Sequence, residues 1–171
     1  MDQMIKTSIS NLEVEGISNL DSKSQYLFIS NHRDISLDAA LLNLSLNRAG
    51  HKTFNMAVGN NLMKEKWASD LMRLNKSFII QRSGNKKEIY MGLSLASQFI
   101  QHTILEAGES IWIAQKQGRA KDGIDETDPA MLKMIHLTER KTQSLGQYFN
   151  ALKVVPVSIS YELDPNDCLK A

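Results

Sequence analysis

The residues of this sequence best suited to acid–base chemistry are His32 and Asp38, in the polar stretch NHRDISLD (31–38). A histidine near neutral pH can take a proton from a hydroxyl group, which makes the hydroxyl oxygen a nucleophile. A carboxylate that accepts the other ring proton fixes the tautomer and stabilises the imidazolium ion. Asp38 is the candidate because it lies near the start of a predicted helix, where the helix dipole favours an ionised acid. The stretch therefore offers a candidate general base, His32, which Asp38 would orient.

The same stretch has a simpler interpretation. Asp34 or Asp38 can cap the N-terminus of the helix, and His32 is then a solvated residue of the turn. Asp34 is closer to His32 in the sequence, but an extended loop would direct its side chain elsewhere. Taken alone, the stretch slightly favours the capping interpretation, so its context carries the decision.

Two arginines follow other predicted strands. Arg82 comes directly after one strand, and Arg119 follows Gly118 just after the next. If the strands are parallel, both arginines lie at the same sheet edge as His32. A guanidinium group binds phosphate through paired hydrogen bonds, and glycine lets the backbone approach a ligand closely. Surface ion pairs would also explain each arginine, but their shared position favours a phosphate site formed by Arg82, Gly118 and Arg119.

Alternating strand-like and helix-like patterns must position these residues. Short apolar runs predict five strands, at 26–29, 54–58, 77–81, 110–115 and 154–161. Apolar residues that recur every three or four positions predict helices at 39–46, 62–74 and 89–104, with a covering helix or helix pair within 128–150. The polar stretch 118–129 is predicted to be a long, functional loop. This order predicts an α/β domain with a largely parallel sheet flanked by helices, which binds its ligands beyond the carboxyl ends of the strands.

The composition limits the classes of function. The chain has 171 residues, with 20 Lys and Arg against 19 Asp and Glu, and this net charge of +1 does not indicate a nucleic-acid-binding protein. Cys168 is the only cysteine, so we expect neither an intramolecular disulfide nor a cysteine-based zinc site, and we predict no metal. The longest uncharged stretch, 89–105, is too polar for a transmembrane helix. The length predicts a single domain over residues 1–171.

Four blocks, in their order along the chain, resemble the glycerolipid acyltransferase superfamily, which includes glycerol-3-phosphate and 1-acylglycerol-3-phosphate acyltransferases. The blocks are NHRDISLD (31–38), SFIIQR (77–82), QGRAKDG (117–123) and VVPVSI (154–159). The resemblance assigns catalysis to His32 and Asp38, binding of the substrate phosphate to Arg82, Gly118 and Arg119, and supporting positions to Asn31, Arg33, Gln117 and Pro156. Two positions depart from the family pattern. Leu37 stands where the family has its aspartate, with Asp38 one residue later, and Gln117 replaces a glutamate.

The resemblance implies transfer of a fatty acyl group to a hydroxyl of a glycerol-phosphate or lysophospholipid acceptor. The acyl donor would be acyl-CoA or an acyl carrier protein, as a co-substrate and not a cofactor, and no nucleic acid would take part. A lipid product implies that the protein works at a membrane surface, on the cytoplasmic side of the membrane. It would be peripheral or anchored through parts outside this chain. Members of the family are generally longer, so we expect the chain to be a fragment of a longer protein.

The two departures leave an alternative open, namely a catalytically weak or inactive homologue that binds lipid or phosphate. A hydrolase that acts on phosphorus has less support, because the sequence contains neither a metal-ligand cluster nor a phosphate-binding P-loop.

Overall fold

The computed structural model of the chain describes residues 9–35, 37–60, 76–120 and 124–163. Within these ranges, five strands form one parallel sheet in the order β3-β2-β4-β1-β5. The strands are β1 (Leu27–Ser30), β2 (Asn55–Gly59), β3 (Ser77–Ile80), β4 (Ile111–Ala114) and β5 (Val154–Val157). The helices are α1 (Leu37–Arg48), α2 (Lys86–Leu105), α3 (Pro129–Ile135) and α4 (Leu145–Ala151), and a 3₁₀ turn spans Ile17–Asn19. The predicted α/β fold is confirmed, and every strand pair is parallel.

Helices cover both faces of the sheet because successive side chains of each strand point to opposite faces. In the β1–β4 pair, Leu27 lies beside Ile111 and Phe28 beside Trp112. The first two side chains pack in a core with α2, α3 and α4, and the other two pack in a core with α1. Trp112 is 3% exposed and belongs to the core.

The helix boundaries follow from side-chain caps. Asn85 and Glu88 form a capping box that starts α2, where the side chain of each accepts a hydrogen bond from the backbone N–H of the other. Asp128 caps α3, which has Pro129 at its first position. The segment 128–150 was predicted to form one covering helix or a helix pair, and the structure shows the helix pair. The predicted helix 62–74 lies outside the described residues. Among the described residues, no helix is both long enough and apolar enough to cross a bilayer.

The prediction that the fifth strand extends to residue 161 was wrong. The strand ends at Val157. Beyond it, the backbone of Ile159 pairs with the side chain of Asn31 and not with a neighbouring strand. The partner of the segment is a side chain, so the strand ladder stops.

The parallel sheet gathers the carboxyl ends of its strands at one edge. His32 follows β1, Arg82 follows β3 and Arg119 follows β4, so all three lie at this edge, as the pattern predicted. β3 is three strand spacings from β1, or roughly 14 Å. The ladder between β2 and β4 covers only two residue pairs and stops before the carboxyl ends of both strands. This edge is where an open α/β sheet binds its ligands.

Tyr148 on α4 is a test of the core that is independent of function. Its ring is fully buried, and within the described residues its hydroxyl has no hydrogen-bond partner. Burial, assisted by the nearby charge of Glu139, raises the pKa of Tyr148 to about 12. The tyrosine in the unfolded chain ionises near pH 10. The folded state therefore keeps the full contribution of this tyrosine below about pH 10. As the pH rises from 10 to 12, the free energy of unfolding falls by up to about 1.4 kcal/mol per pH unit.

We expect Tyr148→Phe to remove this alkaline loss and to leave the free energy of unfolding at pH 8 unchanged or higher, since a buried hydroxyl without a partner costs about 1–3 kcal/mol. Urea unfolding at pH 8 and pH 11 measures both effects. Tyr90→Phe, at a half-exposed position on α2, is the control and should follow the original protein. An equal alkaline loss in Tyr148→Phe and the original protein would contradict the assignment.

Candidate active site

His32 and Asp38 form a hydrogen-bonded pair just beyond the carboxyl end of β1. The Nδ1 atom of His32 lies 2.8 Å from Oδ2 of Asp38. Asp38 is in the first turn of α1 and its side chain is 0% exposed, whereas that of His32 is 14% exposed. Because a carboxylate accepts hydrogen bonds, Nδ1 carries the proton and Nε2 is left with a lone pair. Within the described ranges, no hydrogen bond occupies Nε2. The expected contact is present, and the catalytic roles of both residues stay predictions.

The two aspartates of the turn have different partners. Oδ1 of Asp34 accepts a hydrogen bond from the backbone N–H of Leu37 at 2.8 Å and so caps the start of α1. Oδ2 of Asp38 accepts the backbone N–H groups of Arg33 at 2.7 Å and Asp34 at 3.0 Å, besides Nδ1 of His32. The capping interpretation therefore holds for Asp34, and the histidine partner is Asp38. The extra residue between His32 and Asp38, relative to the family spacing, does not separate them.

Those two backbone N–H groups also bear on oxyanion stabilisation. Both point at Oδ2 of Asp38 and hold it in place. They are therefore committed to the carboxylate and are not free donors for a substrate oxyanion.

The neighbouring strand β4 orients the histidine ring. The rings of His32 and Trp112 meet edge to face with their centroids 5.9 Å apart. The indole Nε1 of Trp112 donates a hydrogen bond to Oγ of Ser30 at 2.9 Å, which fixes the indole against β1. The imidazole thus rests on a buried aromatic ring, which restricts its rotation.

The loop after β4 is fastened to the same turn. The N–H of Gln115 donates to the carbonyl of Ser30, and the N–H of Ala120 donates to the carbonyl of His32, each at 2.7 Å. Arg119 precedes Ala120, so its backbone lies beside the His32 turn. The structure thus brings Arg119 and His32 together, whereas residues 121–123 lie outside the described ranges.

The other two predicted positions of this loop differ in environment. Gly118 has φ 76°, in the left-handed region that favours glycine, and an added Cβ would meet nothing within 4 Å. Gln117 is exposed, and its amide has no hydrogen-bond partner among the described residues. Within the described residues, Gln117 therefore makes no hydrogen bond for which a glutamate would be required.

Asp125, from the far part of the same loop, links two of the predicted supporting residues. Its Oδ2 accepts a hydrogen bond from Nδ2 of Asn31 at 3.0 Å and forms an ion pair with Nη2 of Arg33 at 2.5 Å. Asn31 and Arg33 flank His32, so this carboxylate ties the loop to both sides of the histidine. Sequence reasoning did not single out Asp125, because nothing separates it from the other acids of the loop.

Arg82 lies at the same edge of the sheet, at the end of β3, three strand spacings from the end of β1. Its side chain is partly buried at the end of β3, and burial lowers the pKa of its guanidinium, while the nearby charge of Asp128 opposes that shift. Asp128 lies after β4, with its N–H on the carbonyl of Gln115. The guanidinium is therefore close enough to Asp128 to feel its charge. Helix α2 comes close to this point because it has Gly92 there, where a Cβ would lie 2.3 Å from Cβ of Gln81.

Pro156 is not part of the cluster at the sheet edge. It lies within β5, paired with Ile29, and its side chain is exposed. β5 is the outer strand, where proline is tolerated because no neighbour needs its N–H. The position of Pro156 in the fourth block is explained by its place in an edge strand. The structure does not bring Pro156 to His32.

Tyr161 is a second neighbour of the site that sequence reasoning missed. Its hydroxyl donates to Oδ1 of Asp38 at 2.8 Å, across 123 positions of sequence. A signal for it exists, because Val155 and Val157 pack on the face of the sheet that carries α1, and an extended chain returns to this face at every second residue.

The assembled groups are suited to acid–base chemistry on a ligand with an anionic part. A histidine with a lone pair on Nε2 and a buried carboxylate on Nδ1 lies at the same edge as two arginines. Within the described ranges, no three His, Cys, Asp or Glu side chains come together as a candidate metal site.

Comparisons with known proteins support the family and the fold. The family model described as Acyltransferase matches residues 11–160. The solved structure of the 1-acyl-sn-glycerophosphate (LPA) acyltransferase PlsC from Thermotoga maritima matches with a TM-score of 0.55 and 16% sequence identity, over 80% of this chain and 50% of that one. At this identity the match shows a shared fold, and the chain spans half the length of that relative. No curated protein matches the sequence. The resemblance drawn from the four blocks is confirmed, and the chain belongs to the acyltransferase family.

Proposed function

We propose that the chain moves a fatty acyl group from acyl-CoA or an acyl carrier protein to a hydroxyl of a glycerol-phosphate or lysophospholipid acceptor. The observation that carries the proposal is the 2.8 Å hydrogen bond between His32 and the buried Asp38, in a chain of the acyltransferase family. The name of the structural relative, a 1-acyl-sn-glycerophosphate acyltransferase, supports the class of acceptor.

In the proposed reaction, Nε2 of His32 takes the proton of the acceptor hydroxyl as its oxygen attacks the thioester carbonyl carbon. The new C–O bond forms a tetrahedral intermediate, and the C–S bond then breaks. The leaving thiolate takes the proton from the imidazolium, so the products are an ester and a free thiol. The Asp38 carboxylate stabilises the imidazolium between these steps. No covalent enzyme intermediate is needed.

The phosphate of the acceptor would bind the arginines at the sheet edge. Arg119 lies beside the His32 turn, and Arg82 follows β3 at the same edge of the sheet. A guanidinium binds phosphate through two parallel hydrogen bonds, which also fixes the orientation of the acceptor. An acceptor held in this way presents its hydroxyl to Nε2 at a defined distance, which lowers the entropic barrier to attack. Gly118 precedes Arg119 and has no side chain, so the ligand could approach the backbone closely there.

The experiment that tests the proposal measures ester formation by the purified protein. Acyl-CoA and acyl carrier protein are each combined with glycerol-3-phosphate, with lysophosphatidic acid and with a lysophospholipid presented in vesicles. Turnover with one of these pairs supports the proposal. Binding of the acceptor without turnover would favour the alternative, a homologue that binds lipid or phosphate. Contact with a membrane surface stays a prediction, and the vesicle arm of the experiment tests it.

Arg119→Ala should raise the KM for a phosphate-bearing acceptor by about 10- to 100-fold, since charge-assisted hydrogen bonds contribute about 1.5–3 kcal/mol. The KM for the acyl donor should change little, because the lost contact belongs to the acceptor. Steady-state kinetics with each substrate varied in turn gives both values. Arg140→Ala, in the exposed segment between α3 and α4, is the control. Equal KM values for Arg119→Ala and the original protein would remove Arg119 from the site.

A further inference from the structure

The segment that follows β5 is attached to the active-site turn by one side chain. The amide of Asn31 pairs with the backbone of Ile159 in both directions: Oδ1 accepts its N–H and Nδ2 donates to its carbonyl, each at 2.8 Å. Asn31 is 6% exposed, so the side-chain end of both bonds is buried. This side chain therefore does what a neighbouring strand would do and sets the register of the segment.

The register places Tyr161 on Asp38. Tyr161 lies two residues beyond Ile159, so holding Ile159 leaves little chain between this attachment and the tyrosine. The phenol hydroxyl donates to Oδ1 of Asp38 at 2.8 Å. Oδ2 already accepts three hydrogen bonds, including the one from His32. The two carboxylate oxygens thus have different partners, and within the described residues the donor to Oδ1 is Tyr161.

We propose that Tyr161 is a positioning residue of the active site. Its hydroxyl holds Oδ1 of Asp38 so that Oδ2 stays aligned with Nδ1 of His32, and Asn31 sets its register through Ile159. Without the hydroxyl, the carboxylate can turn about its Cβ–Cγ bond, and the imidazole loses its fixed direction. This inference rests on the proposed function for its kinetic consequence, and on geometry alone for its effect on the His32 ring.

The test is Tyr161→Phe, which keeps the ring and removes the hydroxyl. We expect kcat for acyl transfer to fall about 10- to 100-fold, because a small misplacement of a catalytic group costs rate. Both KM values should stay within about twofold, since the change touches no substrate. The nitrogen and proton NMR signals of the His32 ring should move, while those of His51, His102 and His136 stay in place. Tyr90→Phe on α2 is the matched control and should change none of these quantities.

The outcomes separate the inference from the proposed function. If the original protein turns over and Tyr161→Phe matches it in kcat and in the His32 signals, the positioning role is wrong. If KM rises and kcat does not fall, the tyrosine acts on substrate binding, and the inference is equally overturned. If no acceptor supports turnover by the original protein, the proposed function fails, while displaced His32 signals in Tyr161→Phe still support the positioning role. The urea midpoint of each variant shows that the comparison is between folded proteins.

Discussion

Replacing His32 with alanine is expected to lower the rate of acyl transfer by about 10²- to 10⁴-fold, the range that general acid–base catalysis supplies. Alanine has no group that takes a proton, and water in its place is a much weaker base that nothing orients. The acceptor KM should change little, because the proposed phosphate contacts lie on Arg82 and Arg119. Initial rates at saturating donor, with the acceptor varied, give the two parameters separately.

His102→Ala is the control for this experiment. His102 on α2 also has its Nδ1 2.8 Å from a carboxylate, that of Glu106, but the side chains are 62% and 68% exposed. The two histidines therefore share a pairing geometry and differ in place and burial. We expect full activity from His102→Ala. Activity of His32→Ala within a few fold of the original protein would remove the proposed general base. His32→Gln, which keeps a donor for Asp38, serves as a second variant if alanine disturbs the turn.

Asp38→Asn is expected to lower kcat by roughly 10²- to 10⁴-fold with little loss of folded protein. The amide oxygen can take the place of Oδ2 and accept the same three hydrogen bonds, and the amide nitrogen can donate to the hydroxyl oxygen of Tyr161. What disappears is the negative charge that stabilises the imidazolium. Asp38→Ala is less informative, because it leaves buried donors without an acceptor.

Asp34→Asn is the matched control for Asp38→Asn. Both aspartates belong to one turn, and Asp34 accepts the N–H of Leu37 as a helix cap. Asparagine is as good a cap as aspartate, so stability and kcat should stay close to those of the original protein. Equal losses in the two variants would mean that the turn needs both aspartates for its shape, which contradicts a specific role for Asp38. The double variant His32→Ala/Asp38→Asn should be no slower than His32→Ala, because the aspartate acts through the histidine.

These results would also settle the choice between an enzyme and a binding homologue. The two departures from the family pattern differ in weight once the contacts are known. The shifted aspartate still reaches His32, because the turn passes from β1 into α1 and accommodates one more residue. Gln117 is exposed, and within the described residues no hydrogen bond joins it to His32 or Asp38. The geometry therefore favours the enzyme.

Much of the fold follows from local patterns. Apolar runs and three- and four-residue spacings predict the strands and most helices, because burial on a pleated or helical surface imposes those periods. The common edge of His32, Arg82 and Arg119 follows from parallel pairing alone. The end of β5 does not, because the ladder stops where a side chain, Asn31, replaces a strand.

The sequence by itself determined that a histidine, an aspartate and two arginines lie where parallel strands end, and so the class of chemistry. The sequence named Asp38 as the partner of His32 but left a capping role open, and only the tertiary structure decided between the two. It also decided that Asp125 and Tyr161 join the site, although they lie 94 positions from Asn31 and 123 from Asp38 respectively. The physical reason is that periodicity reports which face of an element is buried, whereas a hydrogen bond needs two atoms within about 3 Å of each other. That distance is set by turn geometry and by contacts between remote segments, and local spacing contains neither.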